Sequence, residues 1–173
     1  MPDEPSPEAW ARDARLAQAA DARSRRAHWE RLGAEEATRS TILEGLARAG
    51  RGVRLDLGPA GAHHGSVTEL GPDHVRLVAH GRWRYLRLSS VEEIAAAGDH
   101  EGVAPAPVDR SFDDVLARQA GAWVTLVLAS GAQRTGRVAA VAVDVLTLEG
   151  DLPAEPAYVS SSAVVAVLGD GSG

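Results

Sequence analysis

The chain has 173 residues, a formal net charge of −6 and no cysteine. The lack of cysteine excludes disulfides and thiolate metal sites, and the acidic charge disfavours a protein that binds nucleic acid by bulk charge alone. The longest apolar run, at residues 138–143, is far too short to span a bilayer, so we predict a cytoplasmic protein without membrane association.

The first predicted element is a helix behind a short tail. Residues 1–6 are acidic and rich in Pro, and residues 7–39 are rich in Ala, Arg and Glu with no internal Pro, which favours a helix. Trp10, Trp29 and Leu32 lie on a narrow apolar stripe. Such a stripe favours packing on the rest of the protein or on a partner, and a nucleic-acid-binding arm is the alternative.

Residues 40–98 are predicted to form a first repeat, composed of a short helix and five strands. Ser40 stands where an N-cap belongs in "STILEGLARAG", and the glycine that follows is typical of a helix end. Alternating apolar residues predict strands at 53–57, 65–70, 74–79, 83–88 and 91–94. The mixed segment 95–110 lacks periodicity and predicts a linker, with residues 99–110 outside both repeats.

Residues 111–169 repeat this pattern, and residues 170–173 are a short tail. Ser111 is the predicted N-cap of "SFDDVLARQAG", and Gly131 is predicted to turn a hairpin with positive φ. Val124 and Gly136 lie seventy-one positions after Val53 and Gly65. The strands are predicted at 123–129, 135–142, 144–149, 157–160 and 163–168. The sequence therefore predicts a duplicated β unit.

The two repeats resemble the Sm and LSm proteins and the bacterial Hfq. The stretch "VTLVLASGAQRTGRV" resembles Sm motif 1, "VRLDLGPAGAHHGSV" is a looser copy, and "LRLSSVEEI" resembles motif 2 with Leu88 in place of glycine. The whole chain also resembles a poorly characterised family of high-GC bacteria often labelled Fis-like regulator. The resemblance implies a mainly β fold of two tandem Sm-like five-stranded small barrels, each with a short N-terminal helix, preceded by a longer N-terminal helix.

The same resemblance implies RNA binding and assembly. Sm proteins contact RNA with an Asp and an Asn after strand 2 and with the motif 2 arginine; Asp73 and Arg87 stand near two of these positions, and the Asn is missing. Sm-type barrels also pair the fourth strand of one unit with the fifth strand of the next. We therefore predict a homo-oligomer, either a dimer or a ring, with the N-terminal helix as a further protein contact.

An arginine cluster interrupted by aromatic residues, "HGRWRYLRL", follows in the region of strand 4. Arginine holds phosphate, and aromatic rings stack on unpaired bases. The first repeat has seven arginines against six acids, whereas the second has three against six, so the first is the favoured site. An ordinary exposed β face is the alternative. The predicted nucleic-acid-binding residues are Arg82, Arg84, Arg87, Asp73, His74 and Tyr85.

The sequence offers no nucleophile elbow and no phosphate-binding loop, so we predict no catalytic residues, no cofactor and no metal, and hence no enzyme. The leading hypothesis is a non-enzymatic Sm-like protein that binds single-stranded RNA, as a post-transcriptional or regulatory factor, with single-stranded DNA as the second choice of ligand. The alternative is a protein-interaction scaffold that assembles through edge strands. A regulator that binds duplex DNA ranks last, because no helix-turn-helix pattern is visible.

Overall fold

The computed structural model describes residues 30–99, 104–150 and 155–170. The chain divides into two compact units, of which the first ends at Glu35 and the second begins at Glu36. Residues 30–48 are helical and are named α1; residues 30–35 are the described part of the first unit. The predicted tail and the helix before residue 30, with Trp10 and Trp29, lie outside the described residues.

The second unit is mainly β, as predicted, and its described residues form one sheet of eleven strands. The first half contains β1 (Arg51–Asp56), β2 (Ala62–Leu70), β3 (His74–Ala79), β4 (Arg82–Arg87) and β5 (Glu93–Asp99). The connection contains β6 (Ala106–Pro107) and α2 (Phe112–Ala117). The second half contains β7 (Trp123–Leu128), β8 (Gln133–Val141), β9 (Val145–Glu149), β10 (Ala157–Ser160) and β11 (Val164–Asp170).

The two halves follow the same strand order. The first half is ordered β5-β1-β2-β3-β4 and the second β11-β7-β8-β9-β10, and antiparallel pairing of β4 with β11 joins them into one sheet. Short β6 pairs in parallel with β2, beside Glu69 and Leu70. Among the described strands, β5 and β10 are left as the two ends of the sheet.

The seventy-one-residue offset of the sequence also relates the strand registers. The equivalent cross-strand pairs are Val53–Gly65 and Val124–Gly136. Each glycine lies against a carbonyl of the third strand: a Cβ at Gly65 would come within 2.7 Å of Val78 O, and a Cβ at Gly136 within 2.5 Å of Glu149 O. Close approach of two strand backbones therefore requires glycine at both places.

Two apolar clusters fill the two halves, and each includes residues of the other half. The first contains the fully buried Leu55, Leu77 and Leu86 together with Val127 and Val165 of the second half. The second cluster contains Leu126, Leu146 and Val167, with Trp83 and Tyr85 of β4 packed against it. Burial of each such side chain contributes about 1.5–3 kcal/mol, so the junction of β4 with β11 is part of the hydrophobic core.

The capping prediction is confirmed in the second repeat and wrong in the first. Ser111 Oγ accepts a hydrogen bond from Asp114 N at 3.2 Å, and Asp114 Oδ2 accepts one from Ser111 N at 2.8 Å, a complete capping box. Ser40, in contrast, lies inside α1. The helix continues there because the preceding residues are good helix formers, so Ser40 has no free helix end to cap.

Two other local predictions have different outcomes. Gly131 has a φ of 83° and turns the hairpin between β7 and β8, as expected. The segment 95–98, predicted as linker, instead belongs to β5, where Ala95 and Ala96 pair with Arg54 and Val53 of β1. An edge strand with small side chains shows little apolar alternation, so the sequence pattern does not predict that these residues form a strand.

Candidate nucleic-acid interface

Strand β4 carries most of the predicted site and lies at the centre of the sheet. It pairs with β3 on one side and with β11 on the other, so its backbone is fixed along both edges. Side chains alternate along a strand, which separates Arg82 and Arg84 from Trp83, Tyr85 and Arg87. The six predicted residues consequently fall into two groups with different surroundings.

The first group is built around His74, which is completely buried. Its Nδ1 lies 3.3 Å from Asp73 Oδ1, and its Nε2 lies 3.3 Å from Glu69 Oε1. Glu69 is 7% exposed and accepts a hydrogen bond from Arg110, which also donates to the Tyr85 hydroxyl at 3.4 Å. The buried imidazole thus has a carboxylate oxygen beside each ring nitrogen, and the carboxylate of Glu69 is in turn paired with Arg110.

Asp73 connects this network to the second half. Its Oδ1 accepts a hydrogen bond from the Phe112 N–H at 2.7 Å, at the first residue of α2. Burial alone would raise the pKa of Asp73, but the hydrogen bonds from His74 and from the Phe112 N–H outweigh burial and hold the pKa below its ordinary value. Groups of the protein itself therefore stabilise the charged form of this carboxylate.

Arg87 is held by the same helix. Its guanidinium lies 4.5 Å from the centroid of the Phe112 ring, and Nη2 donates to Asp113 Oδ1 at 3.0 Å. Further donor contacts reach the carbonyl oxygens of Val164 at 3.3 Å and Ser161 at 3.4 Å. With 18% of its side chain exposed, Arg87 uses its donors within the fold.

The second group, Arg82 and Arg84, lies on the other face of β4. Arg82 Nε is 3.0 Å from Asp170 Oδ1, in an ion pair whose side chains are 69% and 83% exposed. Arg84 donates from Nη1 to the His64 carbonyl at 2.9 Å, which uses one of its five donor hydrogens. Arg82 is exposed and Arg84 is half-buried, and among the described residues each makes fewer hydrogen bonds than its five donor hydrogens allow.

Sequence reasoning missed three residues that matter here. Glu69 and Arg110 anchor the buried network, and no local pattern links positions separated by forty-one residues. Trp123, at the start of β7, is 47% exposed. A signal for Trp123 existed, because strand alternation places it on the face opposite the buried Val124 and Leu126.

The fold and this site define a duplicated antiparallel β protein with an arginine-bearing strand at its centre. No protein-family model matches the chain, and no curated protein matches it. A search of the described residues for a membrane-spanning helix, which needs both length and sustained hydropathy, finds none.

Proposed function

We propose that residues 40–98 and 111–169 are two tandem small barrels of the Sm type. Three features support this: both halves have the strand order 5-1-2-3-4, both place a glycine against a third-strand carbonyl, and both have a turn of 3₁₀ helix before the last strand. The turns are Leu88–Ser90 and Ser161–Ala163, and the backbone N–H of each first residue donates to Asp73 O or Asp144 O.

The chain is then a non-enzymatic protein that binds single-stranded RNA. The observation that carries this proposal is the pair formed by the exposed Arg82 and the half-buried Arg84 on one face of β4, within the half that has seven arginines against six acids. Arginine donors bind phosphate oxygens, and this contact is independent of base sequence. We expect binding without strong sequence preference, in the manner of proteins that track a flexible single strand.

The test is fluorescence anisotropy of a labelled, unstructured RNA titrated with the intact chain at several salt concentrations. Each phosphate contact contributes about −0.7 to the slope of log affinity against log salt, so two arginines predict a slope of about −1.4. A change to alanine at both Arg82 and Arg84 should flatten the slope. Absence of RNA binding by the intact chain at low salt would refute the proposed function.

Self-assembly is a second candidate function, favoured by the junction inside the chain. There β4 of the first half pairs with β11, the last strand of the second half, while the equivalent strands β10 and β5 have no second partner among the described strands. Tyr85 on β4 packs at the junction, whereas Tyr158, its counterpart on β10, is 74% exposed. Pairing of β10 with β5 of a second copy would repeat the internal junction and cover Tyr158.

Light scattering of the intact chain and of Tyr158→Asp tests this candidate. We expect oligomers for the wild-type chain, because an edge tyrosine and free backbone groups would be paired, and a shift to monomer for Tyr158→Asp, because a charge on an edge strand opposes pairing. A wild-type chain that is monomeric at high micromolar concentration contradicts self-assembly and leaves the RNA proposal standing.

A further inference from the structure

A shallow groove of about 240 Å³ crosses the junction of the two halves, and it is named the junction groove. Its lining comes from four strands: β4, β11, β7 and β8. The residues that the argument uses are Arg82, Arg84, Trp123, Thr125, Thr135 and Asp170. The groove therefore exists only where the second half is joined to the first, and either half alone would supply part of it.

Strand register explains why these side chains lie together. Arg84 pairs with Leu168, Leu168 with Thr125, and Thr125 with Thr135, which forms one row across β4, β11, β7 and β8. The two threonine hydroxyls are 2.8 Å apart and bond to each other. Neighbouring strands are about 4.8 Å apart, so β4 and β7 are separated by about 10 Å.

The two ends of the groove differ in chemistry. On the β4 side, Arg82 and Arg84 present guanidinium donors, and the ion pair of Arg82 with Asp170 is exposed enough to exchange for another anion at little cost. On the β7 side, Trp123 presents a half-exposed indole. Cations at one end and an aromatic ring at the other match a phosphate followed by an unpaired base.

The pocket expected from the sequence is already filled by the protein itself. Asp73 accepts the Phe112 N–H, and the Arg87 guanidinium lies over the Phe112 ring. Phe112 is fully buried, and its helix follows Arg110, which anchors Glu69. A base could reach Asp73 and Arg87 only if the start of α2 left its place, whereas the junction groove is open in the folded protein.

We propose that the junction groove is the single-stranded RNA site, where Arg82 and Arg84 bind backbone phosphates and an unpaired base stacks on Trp123. This inference rests on the proposed RNA-binding function and places its site across both halves. Base pairing hides the base faces within the duplex stack, so the site discriminates against double-stranded RNA. The second half thus supplies the stacking ring, although its net charge is acidic.

The experiment measures binding of a labelled, unstructured RNA to the intact chain by anisotropy, for wild type, Trp123→Ala, Trp123→Phe and Arg82→Ala/Arg84→Ala. Loss of one stacked base should weaken binding about tenfold in Trp123→Ala, and phenylalanine should restore part of it. The double arginine variant should reduce the salt slope by about 1.4. Arg48→Ala/Arg118→Ala removes two exposed charges elsewhere and is the matched control.

The possible results test the junction groove and the RNA-binding function separately. Weakened binding in the Trp123→Ala and double arginine variants, with wild-type binding in the control, supports the junction groove. Wild-type binding by both groove variants overturns this site while the RNA-binding function stands, and equal weakening by the control pair shows diffuse charge binding and also overturns it. If the intact chain binds no RNA, the proposed function and the site fail together. Circular dichroism of each variant verifies the fold, and the arginine pair tests the site independently of Trp123.

Discussion

Removal of Arg110 should destabilise the protein far more than removal of an exposed arginine. In Arg110→Ala, Glu69 loses its guanidinium partner and its buried carboxylate faces only His74. Loss of one partner from a fully buried ion pair costs about 3–5 kcal/mol. Because the Arg110 side chain is 24% exposed and water can reach part of the site, we expect about 2–3 kcal/mol here.

The matched control is Arg48→Ala, which breaks the ion pair of Arg48 with Glu44. Those side chains are 66% and 45% exposed, so its loss should cost less than about 0.5 kcal/mol. Urea denaturation of both variants, followed by circular dichroism, gives the two free energies of unfolding. The double change Arg110→Ala/Glu69→Gln should recover part of the loss, because no charge is then left buried. Equal stability of Arg110→Ala and Arg48→Ala would refute this account of the network.

Two further predictions concern Asp73 and a pair of glycines, one in a strand and one in a helix. Because the pKa of Asp73 is lowered in the folded state, the charged carboxylate stabilises the fold above pH about 4, and this stabilisation is lost as pH falls through the folded pKa. The difference in free energy of unfolding between wild type and Asp73→Asn should therefore shrink in acid. A difference that stays constant with pH would argue against this role of Asp73. Gly136→Ala should cost about 1–3 kcal/mol, since its Cβ would meet Glu149 O at 2.5 Å, whereas Gly45→Ala, in an uncrowded helix position, should stabilise by about 0.5–1 kcal/mol. Thermal melts of the two variants would contradict this if both shifted in the same direction.

Much of the strand pattern could be predicted because burial on one face leaves a period of two in the sequence. The seventy-one-residue offset that relates Val53 and Gly65 to Val124 and Gly136 in the sequence also relates two equivalent cross-strand pairs in the structure. The continuation of α1 through Ser40 could not be predicted, because a serine is compatible with both a cap and a helix interior. The end of β5 at Asp99 depends on backbone pairing with Arg51, which leaves no side-chain pattern.

The candidate site was predictable only where its residues are neighbours in sequence. The arginines and aromatics of β4 stand together in the chain, so their clustering was evident. The partners that decide their roles come from elsewhere: Glu69 from β2, Arg110 from the connection and Phe112 from α2. Contacts between residues that are far apart in the sequence decide which arginines are bound inside the protein and which face solvent. Composition does not predict these contacts.

The position of β11 has a consequence for biosynthesis. This strand pairs with β7 of its own half and with β4 of the first half, although eighty-seven residues separate Trp83 from its hydrogen-bond acceptor at Asp170. While the chain is being made, β4 has an unpaired side until the ribosome has released residues 164–170. A nascent or truncated chain would therefore expose an edge that bears Trp83 and Tyr85, which makes such intermediates prone to aggregation and dependent on chaperones.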